Sequence, residues 1–265
     1  MRKIALRLSG LALLLGAQGA AAYDYNCDLR NTGSATAYDI AVVLDKSETV
    51  TATFNGYPSP SSPLYGHFYN VTHTATASGD TVIHWMNMNN NDSPIVPGKT
   101  IHVGWSTADC HSTVKDMYWT DKNHRRIRGS VVNNLSWGIT YRDSRWPVLD
   151  LGNIFQAKAA ITLFNLRFAV LPQALPLEAL SSDNRELLEV LRPLSDAPIT
   201  VNPGERRSIP IPANVEPGQA VVAFYEIAGD DAAPNAARIG NFVQQVNINN
   251  GPCSVTATNP QPAPW

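Results

Sequence analysis

A chain of 265 residues and 28.8 kDa has room for one large domain or two ordinary ones, and it is too long to be a disulfide-stapled miniprotein. Its 20 Lys and Arg residues against 22 Asp and Glu, with 16% charged and 44% hydrophobic residues, exclude a basic nucleic-acid binder and a charged disordered chain. With 17 glycines and 19 prolines, the composition favours many short elements joined by turns over long helices.

The chain opens with Arg2, Lys3 and Arg7, then the apolar run Leu11 to Leu15, then Gly19, Ala20, Ala21 and Ala22. This pattern reads as a secretory signal peptide over residues 1–22 with its cut after Ala22. The apolar run is short for a hydrocarbon layer of ~30 Å, so no membrane insertion is expected once the signal is removed. Asp24, Tyr25 and Asn26 lack the small residues that would make Cys27 a lipidated N-terminus. The expected location is therefore outside the cytoplasm: the periplasm, the cell surface or the medium. Removing the signal takes three of the 20 basic residues and none of the 22 acidic ones, which leaves a net charge of about −5 and no bulk attraction to DNA or anionic lipid.

Beyond Tyr23, short alternating runs bounded by turn residues recur, the pattern of β-strands. Ile40, Val42 and Leu44 share one face of the first clear strand, and Thr49 to Phe54 alternates as well. The Pro- and Ser-rich segment from Gly56 to Pro63 reads as loop. Strands follow at Thr81 to Met88, Thr100 to Trp105 and Met117 to Trp119. The pattern weakens at Trp146 and Pro147, and the domain boundary is expected between Asp150 and Leu151. A second set comprises Ala160 to Val170, Ser208 to Ile211, Ala220 to Ile227 and Asn241 to Ile248. One helix interrupts it: Asp183 and Glu186 form a capping pair, Leu187, Leu188 and Leu191 fall on one face, and Pro193 ends it. Residues 259–265, with three prolines, read as a disordered tail.

Pro-Gly precedes a strand twice, at Gly98 and Gly204, 106 residues apart, about the length of one immunoglobulin-like sandwich. The expected fold is all-β: two tandem antiparallel sandwiches, residues 23–150 and 151–258, with one short helix in the second. The segment from Asn31 to Leu44, followed by the first Pro-Gly turn and its strand, resembles bacterial immunoglobulin-like modules related to cell adhesion. The resemblance covers about a third of the chain. It implies a spacer, adhesive or accessory role and brings no catalytic residues with it.

Three cysteines enter an oxidising compartment, where two can pair and one is left over. A Cys27–Cys110 bridge with Cys253 free is the favoured pairing, since it would close a loop of 83 residues within the first domain and stabilise by roughly 4 kcal/mol in the chain-entropy account. Cys27 with Cys253, tying the two ends together, is the rival.

The chain has no Gly-x-Ser-x-Gly, phosphate-binding glycine loop, His-Glu-x-x-His or Cys-x-x-Cys, so the expectation is a protein without catalytic residues or cofactor. His84, Met86 and Met88 project from one face of their strand at period two. Imidazole and thioether suit cuprous copper, with His102 completing a site if its strand lies alongside. The plainer reading makes Val82, Met86 and Met88 a core-facing row with His84 packed among them.

Tryptophans cluster in the first half at Trp85, Trp105, Trp119, Trp137 and Trp146. Trp105 and Trp119, flanked by apolar residues, are expected in the core, while Trp137 and Trp146 sit in polar, Arg-containing surroundings and are the candidate exposed pair. The only basic run, His124 to Arg128, reads as a solvated turn or edge-strand guard, and alternatively as a contact for sulfated or phosphorylated polymers. The resulting expectation is an exported, non-catalytic interaction, adhesion or structural module. Its surface would be Trp137, Trp146, Arg125, Arg126 and Arg128, its partner a protein or surface polysaccharide. A periplasmic copper or small-ligand carrier using His84, Met86 and Met88 is the alternative.

Overall fold

The computed structural model of the chain describes residues 23–45, 48–54, 68, 70–87, 94–108, 114–131, 136–142, 146–153, 160–180, 184–216, 218–228 and 238–247. The leader, Met88, Cys110, Asp183, Cys253 and the Pro-rich tail lie outside them. In chain order the first half forms β1 (Tyr23–Arg30), β2 (Asp39–Leu44), β3 (Val50–Phe54), β4 (Asn70–Ala75), β5 (Thr81–Met86), β6 (Thr100–Thr107), β7 (Val114–Thr120), β8 (Arg126–Val131) and β9 (Ser136–Arg142). The second half forms β10 (Trp146–Gly152), β11 (Ile161–Leu171), a 3-10 turn (Leu177–Ala179), α1 (Arg185–Val190), β12 (Arg192–Pro193), β13 (Ile199–Val201), β14 (Arg206–Pro210), β15 (Ala220–Ala228) and β16 (Arg238–Asn247). The protein is mostly β, in several antiparallel sheets, with one short α-helix among the described residues. None of its described helices is long and apolar enough to cross a membrane.

The five-stranded sheet runs β4-β5-β2-β7-β8. Register sets Ile40 opposite both Trp85 and Trp119, and Val42 opposite Ile83 and Met117. All six side chains are buried, as expected of Ile40, Val42 and Leu44 on one face. β5 has the opposite phase to the plainer reading of its sequence. Ile83 and Trp85 face the core, whereas Val82, His84 and Met86 are half-buried on the outer face. Burying a tryptophan removes 150–250 Å² from water, about 4–6 kcal/mol of transfer free energy, against about 1.5–3 kcal/mol for a methionine. Trp85 therefore sets the phase, and its Nε1–H donates to the Phe54 carbonyl at 2.9 Å.

The largest sheet has eight strands in the order β12-β11-β15-β16-β1-β6-β3, with β13 also on β11. It takes strands from both of the expected halves. β1 pairs with β16 from Tyr23 opposite Val246 to Leu29 opposite Gly240, so strands from both halves share one sheet. The expected boundary between Asp150 and Leu151 also falls inside β10, whose ladder with β9 runs unbroken across it. One apolar cluster accordingly takes Tyr25, Trp105 and Met117 from the first half and Leu163, Val221 and Tyr225 from the second.

Alternation explains the two central strands. Tyr25, Cys27 and Leu29 of β1 enter the core, while Asn26 and Asp28 are buried on its other face, where Asn26 Nδ2 donates to the Leu177 carbonyl at 3.0 Å. Gly104 of β6 is required there, because a Cβ would meet the Tyr25 carbonyl oxygen at 2.8 Å. β15 is apolar at almost every position because it is covered twice. Val221, Ala223, Tyr225 and Ile227 join the main core, and Val222 and Phe224 join a second cluster with Leu180, Leu187 and Leu191. Leu187 and Leu191 come from α1 and its end, on the helical face expected, but the N-cap is Asn184, whose side chain accepts from the Leu187 N–H.

Cys27 carries a free, fully buried thiol, and Cys110, its expected partner, lies outside the described residues. It sits mid-strand opposite Val103, whereas β6 ends at Thr107 opposite Tyr23, at the far end of β1 from Leu29. Burial pushes its ionisation well up, and the neighbouring Asp28 carboxylate adds to the shift.

Both Pro-Gly segments are tight turns with the glycine at positive φ, 86° at Gly98 and 79° at Gly204. Each is held in the same way by an asparagine that follows a strand. The Asn31 carbonyl accepts from the Gly98 N–H, its N–H donates to the Lys99 carbonyl, and its Nδ2 donates to the Ile95 carbonyl. Asn153 makes the same three bonds to Gly204, Glu205 and Val201.

Candidate functional site

The outer face of the five-stranded sheet carries the polar side chains. Ala41 of β2 stands opposite His84 of β5 and Tyr118 of β7, and Asp39 stands opposite Thr120. Alternation that sends Ile40 and Val42 inward thus lines up Asp39, His84, Tyr118 and Thr120 on the other side.

Asp39 is the centre of this row, and it is fully buried. Its Oδ1 accepts from the Asn87 N–H at 2.8 Å, and its Oδ2 accepts from the Thr120 hydroxyl at 2.8 Å. Nδ1 of His124 lies 2.7 Å from the same Oδ2, and Nε2 of His84 lies 3.6 Å from it, outside hydrogen-bond range. Burial alone would raise the Asp39 ionisation, but the neighbouring imidazoles, the Asn87 N–H and the Thr120 hydroxyl outweigh it and hold the carboxyl below its ordinary range. The anion is therefore the standing form near neutral pH. The His84 and His124 rings meet edge to face, with centroids 5.8 Å apart.

His124 reaches Asp39 from the turn between β7 and β8. Asp121 builds this turn: its Oδ1 accepts from the Asn123 and Arg125 N–H groups at 2.8 and 3.0 Å, and its N–H donates to the Arg125 carbonyl. His124 occupies the left-handed position of the turn at φ 60°, a place that glycine or asparagine fills at least cost. An imidazole there costs about 1–2 kcal/mol of backbone energy, and its contact with Asp39 offsets that cost.

On the far side of the same face, Arg126 Nη1 donates to Asp116 Oδ2 at 2.6 Å while its guanidinium lies 4.2 Å over the Tyr118 ring. Burial raises the Tyr118 ionisation, with the Asp116 charge adding to it and the Arg126 charge opposing it. Arg125 and Arg128, close to Arg126 in the chain, are exposed.

Of the residues expected from the sequence to form sites, His84 enters the cluster, and Met86 shares its face one strand period away. Met88 lies outside the described residues. His102 does not complete the site, because β6 pairs with β1 and β3, not with β5. Its Nδ1 lies 2.5 Å from Asp28 Oδ1, and Phe54 packs against the ring. Trp105 and Trp119 are buried as expected, and Trp85 joins them. Trp137 and Trp146 belong to a different sheet from the arginines. They sit at opposite ends of the β9–β10 ladder, Trp137 facing Leu151 and Trp146 facing Arg142, and their side chains lie outside the described residues. Of the arginines in the expected surface, Arg126 is the one that packs on Tyr118.

Asp39 and His124 have no signature in the sequence, being 85 residues apart and joined only through the β2–β7 pairing. With His84 they are the one group of three carboxylate and imidazole side chains among the described residues whose donor atoms converge, all within 4.8 Å of one another. No protein-family model, curated protein or solved structure matches this chain.

Proposed function

We propose that the protein is an exported, non-catalytic binding module that holds an acidic surface polysaccharide on the outer face of its five-stranded sheet. The observation that carries this reading is the guanidinium of Arg126, fixed by Asp116 and stacked on Tyr118, with Arg125 and Arg128 exposed close to it in the chain. A guanidinium held in place by a carboxylate and a ring loses little freedom on binding, and planar donors of this kind suit carboxylate and sulfate groups. A chain with an excess of acidic over basic residues has no bulk attraction for such a polymer, so a local cluster must supply it. The leader-like first residues support export, and the all-β build with immunoglobulin-like resemblance supports an adhesive or accessory role.

The finer architecture in this reading is two copies of one sandwich plan. The three bonds of Asn31 to its Pro-Gly turn and the same three of Asn153 support it, with β1 equivalent to β10 and β6 to β14. The second copy then begins with β10, and β16 on β1 fuses the copies.

Retention of the full chain on immobilised heparin, used as an anionic probe, tests the binding role at low salt. Two exposed charge contacts at about 0.5–1 kcal/mol each predict that Arg125→Ser with Arg128→Ser weakens binding roughly 5- to 30-fold, with the wild-type affinity falling as salt rises. No retention, or equal affinity of wild type and double variant, would overturn it.

A further inference from the structure

We propose that Asp39, His84 and His124 form a binding site for one divalent transition-metal ion of the zinc type. The cluster supplies one carboxylate oxygen and two imidazole nitrogens, with all donor atoms within 4.8 Å of one another. That is a three-ligand set which zinc and its neighbours accept, a further coordination position being left to water or a partner group. Thioether ligation is not needed, so the site favours a borderline divalent ion over the cuprous ion that a His84, Met86 and Met88 row would have favoured.

Two further observations point to a ligand. Nε2 of His84 is buried, faces the Asp39 carboxylate at 3.6 Å and has no hydrogen-bond partner among the described residues. A buried ring nitrogen left this way is destabilising unless something occupies it. His124 in turn holds a left-handed backbone conformation in an exposed turn, which a glycine or asparagine would adopt more easily. Both features are explained if the imidazoles are there to donate to an ion.

The surroundings fit as well. Asp39 is ionised and keeps its second oxygen on the Asn87 N–H, so one oxygen is oriented while the other faces the histidines. Thr120 fixes the carboxylate from the neighbouring strand, an outer contact of the kind that orients a ligand. The ion would take the place of the direct contact between His124 and Asp39. The oxygen and nitrogen, now 2.7 Å apart, must then separate by about half an ångström to sit ~2.0–2.1 Å from one ion. His124 lies in an exposed turn and is the ligand that moves.

The test is equilibrium titration of the untagged full chain with Zn²⁺ against a chromophoric chelator, repeated with Co²⁺ to read visible absorption. One ion per chain is expected. His124→Asn, which suits the left-handed position, and His84→Gln should each weaken uptake at least about tenfold and abolish the Co²⁺ band. Both variants should melt near the wild type. His73→Asn, on exposed β4 away from the cluster, should bind as the wild type does. Absence of stoichiometric uptake, or uptake unchanged in both cluster variants, would overturn the site. No polysaccharide is present in the titration, so its failure leaves the binding role of the arginine face standing, and the converse also holds.

Discussion

Cys27 shows how much of a residue's chemistry is decided by its strand position. Its thiol points into the core beside Tyr25 and Tyr225, and burial raises the ionisation of both Cys27 and Tyr225 well above their ordinary values. For Tyr225 burial is the largest cause, with Cys27 and Tyr25 adding to it. A raised native value means that the unfolded chain ionises first. The stability these groups contribute is thus complete below the unfolded thiol value of about 8.5 and is lost as pH rises above it, with a second loss above the unfolded tyrosine value of about 10. Native protein is expected to leave Cys27 unmodified by an aromatic disulfide reagent at pH 8 until urea unfolds it, and its urea midpoint should fall between pH 8 and 10. Rapid labelling of Cys27 in the native chain would contradict the burial. Counting cysteines carries no information on strand register, and the two other cysteines, Cys110 and Cys253, lie outside the described residues.

At the scale of elements, the sequence is a good guide wherever one face is apolar and the other is not. Ile40, Val42 and Leu44 are legible for that reason. β5 is not, because Val82, Ile83, Trp85 and Met86 are apolar on both faces and only the bulk of Trp85 decides which turns inward. β1 is missed although it alternates, because its polar residues are themselves half-buried or buried and answered by distant partners, Asp24 by Ser106 and Asp28 by His102. The candidate site is half-legible: His84 stands out, while Asp39 and His124 acquire meaning only once a turn folds one over the other.

The repeated asparagine motif gives an element-scale prediction. Asn153→Ala removes the donor to a buried carbonyl and should destabilise by about 1–3 kcal/mol, and Asn31→Ala should cost more, because its Nδ2 reaches both Ala35 and Ile95. Gly204→Ala meets no atom within 4 Å, so its cost is backbone strain alone, about 1 kcal/mol. Urea denaturation ranks the three. An Asn31→Ala loss smaller than that of Gly204→Ala would contradict the bonding described.

For the whole molecule, the ladder between β1 and β16 joins the two halves in one eight-stranded sheet over a shared main core, and the polar row lies on the outer face of the five-stranded sheet. Asp39, His124, Arg126 and Tyr118 then gather on one side, on elements fixed by the buried row of Ile40, Trp85 and Trp119 behind them. The binding role assigned to that side is tested most directly by amide hydrogen exchange of the full chain with and without the heparin probe. The account predicts added protection across β7, its turn and β8, residues 114–131, and none across β11 and β15. Protection confined to β11 and β15, or no change anywhere at saturating probe, would contradict it.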